Sequence, residues 1–358
     1  MDVRDWWYRV SGAIAGVPLG WRDADRNRRW ATADQRFLVL RHPRNKPNFY
    51  DVLLTWLQER HPDLRTRFEL QCMPHVVRDW RPYVLCIPWL QDPVQAWSPT
   101  AYAQANRLAA ECDARAIPII NRVDRLSAAG KAAGAATIAS LGIRTAKMAR
   151  ITEPKVFRET RCGLRLPFFV REDWRHCGPV MRVDTESEVG RVPLNRFRRP
   201  VAVEYIDVRS PRDGLFRKYR YLAAGDTGFP LSMHPSQHWF VKGSNTVFSN
   251  ELREEELWFL TRPDPNAERL QAARRALGLD FVAFDYSYDQ SGQLVVWEAN
   301  PYPTIHFGTE HRSYRWPAVA RVLAAMTRMY LQRAGLPVPS ALESSLLWNL
   351  GAAIAQAA

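Results

Sequence analysis

Short apolar runs alternate with helix-length amphipathic stretches along the first third of the chain. RFLVLRH (Arg36 to His42) has the unbroken apolar centre of a buried strand. FYDVLLTWLQERH (Phe49 to His61) puts Val52, Leu53, Trp56 and Leu57 on one helical face. RFELQCM (Arg67 to Met73), YVLCIPW (Tyr83 to Trp89) and IPIIN (Ile117 to Asn121) predict further strands. Ser98 to Ala116 predicts a helix with Ser98 as N-cap and Pro99 at its first position. Strand and helix in alternation imply a mostly parallel sheet with helices against it. No GxGxxG occurs in this part, so a dinucleotide fingerprint is not supported.

The pattern then changes. Arg122 to Ile143 is helical and Ala-rich, with Gly142 as its stop signal. Strand-like segments follow at Leu164 to Glu172, Val180 to Asp184, Val201 to Val208 and Phe216 to Ala224, with Leu257 to Thr261 read as one more. Asn266 to Leu277 predicts a helix. Phe281 to Asp289 and Gln293 to Pro301 predict two strands joined by a hairpin turn at Ser291-Gly292. A helix over Pro317 to Ala334 and a final apolar helix over Ala341 to Ala358 complete the chain. Leu342, Leu346, Leu347, Leu350 and Ile354 fall near helical spacing in the latter, which suits packing on the core or a homodimer contact. Residues 1–35 are rich in Trp, Arg and Asp without a clean period, and Trp6, Trp7, Trp21 and Trp30 suggest an arm that packs on something.

Composition narrows the class. The chain has 358 residues and is 46% hydrophobic, enough for two or three globular domains. Five cysteines at wide spacings, without a CxxC, argue against a disulfide framework or zinc ribbon and fit a reducing cytosol. No run of 18 apolar residues exists and no secretory signal is read, so neither a membrane span nor a membrane partner is expected. Of a net charge of +13, most lies between Arg144 and Gly225, where 19 Lys or Arg face 10 Asp or Glu. Such a segment attracts polyanions: nucleotide phosphates, an acidic substrate or nucleic acid.

The hairpin from Asp285 to Asn300 carries the sharpest chemistry. Asp285 lies on one strand; Glu298 and Asn300 lie two apart on the next and so point to one face. Three oxygen donors converging there suit Mg²⁺, with phosphate oxygens and waters completing its shell. Carboxylates inside strands as apolar as FVAF and LVVW are costly unless paired or metal-bound. His234 and His238 are four apart, but Pro235 between them disfavours the helix that a zinc pair would use. His176 and Cys177 suit a nucleotide loop better than a catalytic pair. Lys242 to Asn245 reads as a connection between lobes, and His306 and His311 follow the acidic motif toward a substrate side.

VVWEANPYP resembles the C-terminal metal motif of ATP-grasp enzymes, and the pattern upstream is most similar to RimK-type amino-acid ligases. The resemblance covers roughly residues 120–335. It implies an α/β fold with α+β lobes: an N-terminal open α/β domain (36–121) after an arm (1–35), then a two-lobed ATP-grasp domain (122–335) whose small nucleotide-binding lobe spans about 164–242, and a C-terminal helix (336–358). It implies ATP and Mg²⁺ as cofactors, with Asp285, Glu298 and Asn300 as metal ligands. Lys131, Arg171 and Arg220 would face the phosphates, Arg171 and Arg220 as catalytic charges. Glu204, Tyr205, Ile206 and Asp207 would form the adenine and ribose hinge, with Lys218 beside them. Four features depart from the family pattern: Arg171 where a lysine is frequent, a single glycine in WRHCG (Trp174 to Gly178), Pro301-Tyr302-Pro303 after the motif, and Lys218 where an acidic residue often binds ribose.

The activity so implied is ligation of a carboxylate to an amine through an acylphosphate, on a small-molecule or peptide substrate and without a nucleic-acid partner. A small-molecule kinase on the same fold and a non-catalytic nucleotide- or polyanion-binding module are the competing functions.

Overall fold

The computed structural model describes residues 18–42, 48–90, 94–173, 179–308 and 310–347. Trp6, Trp7, the segment Trp174 to Gly178 with His176 and Cys177, and the expected helical positions Leu350 and Ile354 lie outside them.

Three strands form the first sheet: β1 (Arg36–Arg41), β2 (Phe68–Cys72) and β3 (Tyr83–Trp89), parallel and in the order β2-β1-β3. The expected strand at Ile117 to Asn121 shrinks to a single bridge from Ile119 to Cys86. Pro118 has no N–H to donate, and left-handed Ala116 and Asn121 bracket the segment. The helix over 18–30 closes the outer edge of β2, where the Asn27 carboxamide exchanges hydrogen bonds of 2.7 and 2.8 Å with the Leu70 backbone. Behind it Arg41 and Asp23 form a buried ion pair at 3.0 Å.

The remaining strands are β4 (Arg144–Thr145), β5 (Met148–Arg150), β6 (Phe168–Glu172), β7 (Val180–Val183), β8 (Pro200–Glu204), β9 (Phe216–Ala224), β10 (Thr227–Ser236), β11 (Phe281–Tyr288) and β12 (Leu294–Asn300). They make a four-stranded antiparallel sheet, β5-β8-β6-β7, and a five-stranded sheet, β10-β9-β11-β12-β4. The small-lobe boundary of 164–242 therefore runs across two sheets, because β9 and β10 pair with β11 and not with β8. β10 was not read from the sequence because Pro230 and Pro235 interrupt it. An edge strand tolerates both, and the register shifts at Pro230.

Leu257 to Thr261 is not a strand. It is the end of a helix, Asn250–Thr261, started by the Ser249 hydroxyl accepting from the Leu252 N–H at 3.3 Å. Glu256, Phe259 and Leu260 are its buried face, at i, i+3 and i+4.

The helix Trp316–Arg333 lies between the first sheet and the five-stranded sheet: Tyr330 packs edge-on against Phe37 and Phe68, and one core cluster joins Phe37, Phe68, Leu222 and Ala283 to Val322 and Met326. Leu342 and Leu346 of the helix Ser340–Leu347 enter the same cluster. The four-stranded sheet has its own core around Phe157, Phe168 and Val170. A second cluster joins its Phe169, Val201 and Val203 to Val295 and Trp297 of β12. The two sheets thus meet where β12 carries Glu298.

Candidate active site

Pairing across the five-stranded sheet sets four polar residues in one row. Ser232 of β10 pairs with Arg220 of β9, Arg220 with Asp285 of β11, and Asp285 with Glu298 of β12. Directly paired residues point to the same face. Lys218 and His234, themselves a register pair, and Asn300, two residues beyond Glu298, extend the row on that face.

Arg220 forks onto Asp285, Nε to Oδ1 at 2.6 Å and Nη2 to Oδ2 at 2.9 Å, and Lys218 Nζ stands 3.0 Å from Oδ2. Burial pushes the Asp285 carboxyl toward the neutral form, but Arg220 and Lys218 outweigh it and hold the group well below the usual carboxylate range. The same exchange raises Arg220 against its own burial. Glu298 faces Lys131, with Oε1 and Nζ 3.8 Å apart.

Lys131 opens the helix Lys131–Ala139 and ties the two sheets together. Its Nζ donates to the Asp173 carbonyl at 3.1 Å, and the Ala132 N–H donates to Asp173 Oδ1 at 3.3 Å. Asp173 follows β6, which carries Arg171. Burial lowers the Arg171 guanidinium while Glu298 and Asp173 draw it the other way. The buried Arg171 Nε has no hydrogen-bond partner among the described residues. Its guanidinium stands 5.9 Å over the Phe240 ring.

The hinge residues divide. Tyr205 follows β8 and meets the Trp239 ring edge-on at 6.0 Å, with the Arg182 guanidinium 4.3 Å over its own ring. Ile206 is buried in the cluster between the sheets. Glu204 Oε2 instead accepts from the Lys147 N–H at 2.9 Å, closing the β5 edge. Asp207 is forked by Arg209, with Nη2 to Oδ2 at 2.6 Å, and that hydrogen bond lowers its pKa. Neither carboxylate joins the row.

Sequence reasoning missed Asp173, Ser232 and the rings grouped with Tyr205, Trp239 and Phe169. The acidic residue two after Arg171 was a usable signal for the first. Nothing local marked the others, which depend on long-range pairing. His234 lies on β10, between the Ser232 hydroxyl at 3.2 Å and the Thr246 hydroxyl at 3.3 Å. Burial, then Lys218, Arg315 and Arg220, push its pKa down to about 3. Burial also lowers His306, with Arg315 and Arg220 adding to it.

The row supplies two carboxylates and a carboxamide, the hard oxygen donors that Mg²⁺ takes. Asp285 has three contacts to cations and Asn300 Oδ1 accepts from the Tyr302 N–H at 2.9 Å. A carboxylate offers about four lone-pair sites and a carboxamide oxygen two. The donor set therefore fits the ion. No group of three or more His, Cys, Asp or Glu suited to a metal occurs among the described residues, so imidazole or thiolate coordination has no counterpart there. No helix among them is long and apolar enough to cross a membrane.

Neither a family model nor a curated protein sequence matches this chain. Solved structures do. The macrocyclase MdnC of Microcystis aeruginosa, bound with its precursor peptide MdnA, superposes with a TM-score of 0.56 at 10% identity over 83% of this chain and 100% of that one. The VanG D-Ala:D-Ser ligase of Enterococcus faecalis gives 0.54 at 12% identity over 86% and 100%. A RimK domain ATP-grasp protein of Sphaerobacter thermophilus gives 0.53 at 13% over 83% and 99%. These likenesses identify the architecture: this chain has the ATP-grasp fold.

Proposed function

We propose that the protein is an ATP-dependent carboxylate–amine ligase. The row Arg220–Asp285–Glu298, bridged to the second sheet by Lys131 and Arg171, carries this reading. Adenine would lie between the sheets beside Tyr205 and Trp239, and Mg²⁺ would be held by Glu298, Asn300 and Asp285, where it supplies charge neutralisation for phosphate oxygens. Lys131, Arg171 and Arg220 spread positive charge over the transferring phosphoryl group. A substrate carboxylate takes that group, giving an acylphosphate and ADP; an amine then displaces phosphate and leaves an amide. Protein groups act here by positioning and by preorganised charge, without a nucleophilic side chain. The ligases named above act on peptide or small-molecule substrates, which suits a carboxylate and an amine of either kind here.

Lys218 favours one variation. It neutralises Asp285, and a site so balanced can bind nucleotide without turning it over. Calorimetric titration with a non-hydrolysable ATP analogue separates the readings, with and without Mg²⁺, on wild type and Glu298→Ala. Mg-dependent binding that the substitution abolishes supports the ligase, which then releases free phosphate and an amide with the right acid and amine. Phosphate retained on the product would indicate a kinase. Binding indifferent to both Mg²⁺ and Glu298 sinks the catalytic reading.

A further inference from the structure

A second cleft, of about 640 Å³, opens at the far end of the five-stranded sheet, where β9 turns into β10 and β11 begins. Register places Ala224 beside Phe281 there and Arg220 beside Asp285 at the site above, four residues along the strand. At about 3.3 Å per residue the two are roughly 13 Å apart. Five arginines line this cleft, Arg122, Arg125, Arg274, Arg275 and Arg333, against two aspartates, Asp226 and Asp280. A concave wall with an excess of one sign focuses potential in a way that a flat patch does not.

The arginines are differently committed. Arg122 is forked by Asp113 at 2.6 and 3.0 Å, and Arg333 is held by Asp280. Arg274 is buried, 8% exposed, and fixed by the Gln271 carboxamide oxygen at 2.8 Å and the Leu279 carbonyl at 2.7 Å. Its nearest acid, Asp226, is 3.6 Å away on a side chain 97% exposed. Arg125 and Arg275 are exposed and have no carboxylate partner among the described residues. A rigid, buried guanidinium thus lies under two uncommitted ones. The backbone approaches closely at Gly278, which has φ +68° and whose missing Cβ would sit 3.5 Å from Arg125 Cδ and Nη1.

We infer that this cleft is a binding site for a small polyphosphorylated molecule, separate from the nucleotide site. The volume suits a compact ligand of nucleotide size. Arg274 meets one phosphate at the floor, and Arg125 and Arg275 close over the others, since guanidinium forks match phosphate oxygens in pairs. Asp226 competes with the ligand for Arg274. Asp280, which lines the cleft, exchanges hydrogen bonds with Asn121, as does Phe281 beside it at the start of β11.

Inorganic tripolyphosphate is the probe, titrated calorimetrically into the full chain without metal. Wild type is expected to bind it, Arg125→Gln/Arg275→Gln to lose at least about tenfold in affinity, and Asp226→Asn to gain. Arg158→Gln/Arg191→Gln removes the same charge from exposed positions elsewhere and is expected to bind as wild type does. Equal losses in the two double variants, no loss in Arg125→Gln/Arg275→Gln, or no binding to wild type each overturn the site. So does an oligonucleotide that binds more tightly than tripolyphosphate and is lost with the same two arginines, which would give the cleft to nucleic acid.

Discussion

Arg220 and Asp285 are register partners on β9 and β11, and both guanidinium contacts, at 2.6 and 2.9 Å, fall on the same carboxylate. Asp285 is buried and Arg220 half-buried in the middle of the sheet, so each charge depends on the other. Arg220→Ala leaves the Asp285 carboxylate with Lys218 as its remaining close cation. Breaking one side of a buried pair costs about 3–5 kcal/mol. Denaturant unfolding should show that loss, and Arg220→Lys should recover only part of it because an ammonium cannot make the fork.

Glu298 faces Lys131, with Oε1 and Nζ 3.8 Å apart, and is one of the proposed metal ligands. In wild type, Mg-ATP analogue at about 100 times its dissociation constant should add about 2.7 kcal/mol to unfolding stability. Thermal shift assays should find that increment missing in Glu298→Ala. An equal increment in both proteins would remove Glu298 from the nucleotide site.

His234 makes acid stability predictable in sign. Its folded pKa, about 3, is below the ordinary value of 6.5 because of burial and then the charges of Lys218, Arg315 and Arg220. Asp285, Ser232 and Thr246 also face it, Asp285 pulling weakly the other way. The unfolded chain therefore binds a proton that the folded chain refuses. Stability falls as pH drops from about 6.5 toward 3. His234→Gln should flatten that limb, measured by denaturant unfolding at pH 7, 5.5 and 4.5; an unchanged slope would mean that His234 is protonated in the folded protein.

Gly228 on β10 lies against the buried ring of Tyr221 on the neighbouring strand. A Cβ there would fall 2.5 Å from Tyr221 Cζ and 2.7 Å from Cε1, and closer still to Oη. Gly228→Ala should cost about 1–3 kcal/mol by overpacking. Tyr221→Leu in the same chain should recover part of the loss, which a purely backbone effect would not allow.

Much of this was legible in the chain itself. The Asp285 to Asn300 hairpin could be read because its signals are local: period-2 alternation, a Ser291-Gly292 turn with left-handed Gly292, and two acceptors spaced to share a face. Gly142 marked the end of its helix for the same reason, although the structure divides the expected Arg122 to Ile143 helix into Leu126–Ala129 and Lys131–Ala139. Leu257 to Thr261 misled because five apolar-rich residues look alike in a strand and in a helix's last turns. Only the upstream Ser249 cap decided between them.

The sequence by itself determined which residues could carry chemistry and which local elements hold them, because periodicity, turns and caps act over a few residues. Tertiary structure alone decided their partners. That Lys218 and Arg220 neutralise Asp285, that Asp173 seats Lys131, and that Glu204 and Asp207 turn away to Lys147 and Arg209 all follow from strand order and loop path. Asn121 reaches Asp280 across 159 residues. Contacts of that span are selected by burial of the whole core, a global sum that no short window of sequence contains.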